Sequence, residues 1–135
     1  MSEIGFGAWG IGGISKGATS YGPTDDNSSI RALNCAIDRG INFFDTSNVY
    51  GGGHSESLIG KTFLKSRDRV FIATKVGLIN YEEPSDFSVK NLSTSLQGSL
   101  KRLKTDYIDL LQLHNPPSHI FQYNHEILNW VDQLI

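Results

Sequence analysis

The chain has 135 residues, 39% of them hydrophobic, with 12 basic and 14 acidic side chains and a formal charge of −2. That length suits one domain with a real core and not two. Interspersed charges with no basic block argue against nucleic acid and anionic membrane surfaces as partners. Cys35 is the only cysteine, so no intrachain disulfide forms and a reducing cytoplasm is the expected setting. Met1-Ser2-Glu3 opens on an acid, and no apolar run approaches transmembrane length.

In chain order, Ile4 to Ile14 is apolar and glycine-rich and reads as a first strand running into a loose loop. Ser28 to Arg39 carries Ile30, Leu33, Ala36 and Ile37 at helical spacing, with Gly40 placed to end the helix. Ile41 to Asp45 reads as a short buried strand, Ser55 to Ser66 as a second helix and Val70 to Lys75 as a third strand. Ser88 is a good N-cap for a third helix, with Phe87 stapling onto Leu92. Val89, Leu92, Leu96, Leu100 and Leu103 form its apolar stripe. Tyr107 to Leu113 is the fourth strand, stopped by His114-Asn115-Pro116-Pro117. Ile127, Leu128, Val131 and Leu134 suggest a fourth helix. Strands alternating with helices predict an α/β fold of parallel (β/α) units.

A parallel α/β sheet places its chemistry beyond the carboxyl ends of its strands. Asp45, Tyr50, Lys75 and His114 all lie at or just past such ends. An ammonium beside a phenol favours the phenolate and makes tyrosine a usable proton donor; a carboxylate serves as counter-ion to the buried ammonium. An imidazole can hold a substrate oxygen within reach. Giving a proton to an oxygen is what carbonyl reduction needs, provided a nicotinamide or flavin delivers hydride. Pleating adds a test: Ile41 and Phe43, Phe71 and Ala73, and Ile108, Leu110 and Gln112 should share the face of the four residues. All but Gln112 are apolar, as a packed barrel interior requires.

Taken singly, each residue has an ordinary explanation: Asp45 capping a turn, Tyr50 exposed in a loop, Lys75 snorkelling and His114 satisfied in a turn. Their joint occurrence at successive strand ends favours a site. Gly5-x-Gly7-x-x-Gly10 has the form of a dinucleotide fingerprint, but no helix opens after it, so a phosphate cradle is not expected. Those glycines are expected to let backbone approach a ligand, and Gly51-Gly52-Gly53 to make the Tyr50 loop mobile. His54, His119 and His125 lack metal-ligand spacing, so no metal is expected. Cys35 is expected to face the core or to be partly buried, with no His or basic residue near it in sequence to activate it.

The text Gly5-Phe6-Gly7-Ala8-Trp9-Gly10, Gly40-Ile41-Asn42-Phe43-Phe44-Asp45-Thr46-Ser47, Tyr50-Gly51 with Ser55-Glu56, Leu58 and Gly60, Ile72-Ala73-Thr74-Lys75, and Asp106 through Pro116 resembles the aldo/keto reductase superfamily. The resemblance covers nearly the whole chain in order. It implies a TIM (β/α)8 barrel using NADPH to reduce aldehydes or ketones as small-molecule substrates. By the same resemblance Tyr50 is the proton donor, Lys75 activates it, Asp45 pairs with Lys75 and also lies at the cofactor, and His114 orients the carbonyl. Ala8 and Trp9 match positions near the nicotinamide.

A (β/α)8 barrel takes about 250 residues, so residues 1–135 are expected to be one partial domain, the first four β/α units. The chain reads as truncated at both ends. By resemblance, the other half carries most contacts to the cofactor's pyrophosphate and 2′-phosphate, and the chain alone is expected to be impaired. Open sheet edges predict self-association, as two half-barrels closing eight strands. Two alternatives stand beside this reading: a non-catalytic binding or regulatory module on the reductase scaffold, as in potassium-channel β subunits, and an open flavodoxin-like sheet.

Overall fold

The computed structural model describes residues 1–17, 20–120 and 125–134. Strands β1 (Phe6–Gly7), β2 (Phe43–Asp45), β3 (Phe71–Val76) and β4 (Leu110–Leu113) alternate with helices α1 (Asp26–Asp38), α2 (His54–Thr62), α3 (Val89–Leu103) and α4 (His125–Asp132). The four strands form one sheet in the order β1-β2-β3-β4, every pair parallel. Sequential order without reversal is the winding of a (β/α) barrel, and it removes the flavodoxin-like alternative, which needs a switch point.

Local chemistry sets the helix ends. Asp25 caps α1 by accepting from the Ser28 N–H at 2.8 Å, and the Ser28 hydroxyl first, then this N–H, holds its carboxyl below the usual range. Gly40, at φ +83°, ends α1 as expected, its N–H bonding to the Ile37 carbonyl at 2.9 Å. Ser88 caps α3 through the Asn91 N–H. Phe87 and Leu92 are buried in one cluster, as a staple requires.

The sheet has two unlike faces. Phe44, Ile72, Thr74 and Val76 are fully buried towards the helices. There they pack with Leu33, Ile59 and Leu103 in one cluster and with Phe87, Leu92 and Trp130 in another. Each fully buried Leu, Ile or Phe contributes about 1.5–3 kcal/mol. The opposite face carries Asp45 and Lys75. On that face Ala73 is fully buried, but Phe71 is 38% and Leu110 46% exposed, so the packed interior expected from pleating is only partly formed.

Other expectations shift as well. The first strand is only two residues long, because Ala8–Ile11 turns into a 3₁₀ helix. The fourth strand begins at Leu110, and Tyr107 lies outside it with the Arg67 guanidinium 3.9 Å above its ring. Helix α4 buries Ile127 and Trp130, whereas Leu128, Val131 and Leu134 are exposed. Cys35 is exposed, not core-facing.

Candidate active site

Lys75 is the hub of the site. From the penultimate position of β3 its ammonium donates to Asp45 Oδ1 at 2.6 Å, to the Thr46 carbonyl at 2.8 Å and to the Tyr50 hydroxyl at 3.2 Å. Three acceptors match the three donors of an ammonium, on a side chain only 14% exposed. Lys75 Nζ also stands 4.9 Å from the Tyr50 ring centroid.

Tyr50 is held in place by the turn after it. Gly51 and Gly52 adopt φ of 61° and 62° within the 3₁₀ turn Tyr50–Gly53, a region that favours glycine. A Cβ on Gly51 would collide with the Gly12 carbonyl. The Gly51 N–H donates to Ser15 Oγ at 2.9 Å. Gly51 therefore serves close backbone-to-backbone packing against Gly12, whereas a Cβ on Gly52 would meet nothing and one on Gly53 would meet the Arg102 side chain.

His114 follows β4, its N–H bonded to the Val76 carbonyl at 2.8 Å. Its Nδ1 lies 3.1 Å from Ser47 Oγ. The ring meets Tyr50 edge-on at 6.1 Å and Tyr81 at 6.5 Å. Burial first, then the nearby Lys75 ammonium, pushes the imidazole below its ordinary range, with Asp45 opposing. Tyr81 is pushed up by burial and then by Tyr50. Trp9 completes an aromatic rim, 6.2 Å from Tyr50 and 4.9 Å from Tyr21.

Behind the rim, the first turn of α2 ties the strand ends together. Ser55 Oγ donates to the Ala8 carbonyl at 2.8 Å and lies 2.9 Å from Thr46 Oγ1. Glu56, wholly buried, accepts from Thr74 Oγ1 at 2.5 Å and from Arg102 Nε at 2.7 Å. A buried carboxylate needs such partners. Gly60 lets α2 sit directly on the backbone of Arg102 and Leu103 in α3.

The structure thus brings Asp45, Tyr50 and Lys75 into direct contact and sets His114 and Trp9 around them. Ala8 is placed differently: its side chain is fully buried and its carbonyl is taken by Ser55. The open position there is Gly7, level with Asp45, where a Cβ would meet nothing within 4 Å. Sequence reasoning missed Ser47 and Tyr81. Ser47 stands two residues beyond Asp45, a spacing that pleating would have flagged; Tyr81 lies in a loop with no periodic signal. Among the described residues no group of three His, Cys, Asp or Glu gathers to hold a metal ion, and no helix is long and apolar enough to cross a membrane.

Residues 3–133 match the sequence model of the Aldo/keto reductase family. The chain belongs to the aldo/keto reductase family. It is 42% identical over 120 residues to the aldo-keto reductase YhdN of Bacillus subtilis, covering 85% of this chain and 34% of that protein. It superposes on aldo-keto reductase AKR11C1 of Bacillus halodurans in its holo form with a TM-score of 0.80 and 31% identity, covering 98% of this chain and 42% of that one. An aldo-keto reductase of Klebsiella pneumoniae in complex with NADPH matches at a TM-score of 0.71 and 27% identity, covering 97% of this chain and 40% of that one. The chain therefore spans about a third of the length of the first curated relative. Aldo/keto reductases are oxidoreductases. In this chain Gly7 leaves a floor free of side chains beside Asp45 and the Lys75–Tyr50 pair.

Proposed function

We propose that these residues belong to an NADPH-dependent reductase of aldehydes and ketones, with Tyr50 as the proton donor. The observation that carries this reading is the Lys75 ammonium, shared between the Tyr50 hydroxyl and Asp45. When bound, NADPH supplies hydride to the carbonyl carbon; Gly7, Trp9 and Asp45 would hold its nicotinamide end. Tyr50 passes its proton to the carbonyl oxygen, and the adjacent ammonium stabilises the phenolate left behind. Asp45 keeps Lys75 aimed between the Thr46 carbonyl and the phenol. His114, stacked edge-on against Tyr50, holds the substrate beside it. Residues 1–135 are on this reading a single partial barrel domain in a cytoplasmic protein, consistent with an exposed thiol at Cys35.

The test is a calorimetric titration of the chain with NADPH, followed by carbonyl reduction by the chain and its Tyr50→Phe variant. Micromolar binding would mean that self-association has rebuilt the cofactor platform, and reduction is then expected to be abolished in Tyr50→Phe with cofactor affinity nearly unchanged. Turnover by Tyr50→Phe equal to the parent chain refutes Tyr50 as the donor. Absence of NADPH binding refutes the reading for this chain acting alone.

A further inference from the structure

Behind the rim, Thr46, Ser55, Glu56 and Thr74 are polar and fully buried. A buried polar group costs stability unless it is partnered, and these four are held by bonds of 2.9 Å or less. Ser55 Oγ gives its one proton to the Ala8 carbonyl at 2.8 Å, so the Thr46 hydroxyl is the donor in the 2.9 Å bond between the two. The Glu56 carboxylate accepts on both oxygens, from the Thr74 hydroxyl at 2.5 Å and from Arg102 Nε at 2.7 Å.

Each of these partners is the neighbour of a group in the site. Ala8 lies between Gly7 and Trp9. Thr46 follows Asp45, and its carbonyl accepts from Lys75 Nζ at 2.8 Å. Thr74 immediately precedes Lys75 in β3. Arg102 runs against Gly53, the last residue of the Tyr50–Gly53 turn, where a Cβ would stand 2.5 Å from Nε and 2.6 Å from Cδ. Consecutive helical residues point about 100° apart, so Ser55 serves the ends of β1 and β2 while Glu56 serves β3 and the support of the Tyr50 turn.

We infer that Ser55 and Glu56 are positioning residues, which set the Lys75–Tyr50 spacing by fixing the strand ends and the turn that carry the two groups. The ammonium stands 3.2 Å from the phenol, and its hold on a phenolate weakens with distance. A displacement of about 1 Å in such a site costs about 10²-fold in rate. Neither Ser55 nor Glu56 touches Lys75 Nζ or the Tyr50 hydroxyl; both act through Thr46, Thr74 and Arg102. Stability alone does not call for a buried charge pair, since well-packed apolar side chains serve a core as well or better. The role in reduction rests on the reductase reading above; the control of the Lys75–Tyr50 spacing does not.

The test is nitration of the chain by tetranitromethane, which attacks the phenolate, followed for each tyrosine by peptide mass. Thr74→Val keeps the shape of the side chain and removes its bond to Glu56. Ser55→Ala removes the bonds to Ala8 and Thr46. Tyr50 is expected to react about fivefold more slowly in each variant than in the parent chain, the worth of one lost hydrogen bond. Tyr21 and Tyr107, both well exposed, should hold their rates, and Thr74→Ser should return Tyr50 to the parent rate. A purely structural role predicts the reverse, because a loosened fold exposes Tyr50 and speeds its reaction. An unchanged or raised Tyr50 rate in either variant, slowing shared by Tyr21 and Tyr107, or a Thr74→Ser chain that reacts like Thr74→Val overturns the positioning role. Nitration needs neither cofactor nor carbonyl, so a chain that shows the expected pattern and reduces nothing refutes the reductase reading for this chain acting alone and leaves the positioning standing.

Discussion

Lys75 reaches Asp45 along a diagonal of the sheet. The register pairs Asp45 with Ala73 and Lys75 with Gln112, yet the ammonium lies 2.6 Å from Asp45 Oδ1. The ammonium meets a carboxylate on the neighbouring strand whose register partner lies two residues before Lys75, and it also stands 3.2 Å from the Tyr50 hydroxyl. Counter-ion and phenol are therefore served by one geometry.

Removing the ammonium separates these roles. Lys75→Met is expected to lower the rate of carbonyl reduction by about 10²–10⁴, the usual worth of a positioned acid–base group. NADPH affinity should change little. A variant within threefold of the parent rate argues against Lys75 as the group that assists Tyr50.

Glu56 offers a contrast between buried and exposed charge. Its carboxylate is wholly buried against Thr74 and Arg102, so Glu56→Ala leaves a hydroxyl and a guanidinium short of their partner. A loss of about 3 kcal/mol in urea unfolding is expected, the low end for a broken buried pair because Arg102 is 31% exposed. Lys16 bridges Glu82 and Glu83 with all three side chains well exposed; Lys16→Ala should change stability by less than about 1 kcal/mol. Equal losses for the two variants contradict this ranking.

Stability should fall in mild acid because of His114. Its folded-state titration is pushed below the ordinary value by burial and by Lys75, so the unfolded chain binds the extra proton first. The group's contribution is fully present above its unfolded value, about pH 6.5, and is lost as pH falls through the lowered folded value. Urea midpoints measured at pH 7.5 and 5.5 should drop more for the parent chain than for His114→Gln. Identical drops remove His114 from the account.

The open sheet face predicts association with a second copy. Phe71 and Leu110 are 38% and 46% exposed beside the site, and among the described residues β1 and β4 each pair on one side only. Unpaired edges and exposed apolar surface drive pairing. Light scattering at micromolar concentration should give a mass of two chains, about twice 14.9 kDa. A monodisperse monomer there ends this expectation.

Much of this protein was legible in the chain of letters. The stripe of α3, the caps at Asp25 and Ser88, the glycine at position 40 and the strand-end placement of Asp45, Lys75 and His114 follow from local rules, because capping, periodicity and pleating act over a few residues. Element ends were less legible. β1 shrank to Phe6–Gly7 because Ala8–Ile11 turned into a 3₁₀ helix, with Ala8 and Ile11 buried in the core beneath it. The tight fit of Gly51 against Gly12, the Glu56–Arg102 pair and the Ser47–His114 contact join residues 39, 46 and 67 positions apart. No local pattern encodes such pairs. The sequence by itself determined that Asp45, Lys75 and His114 stand at successive strand ends; the tertiary structure alone decided what else surrounds them and how they share protons, since hydrogen bonds depend on ångström distances that only packing of the whole sheet and its helices sets.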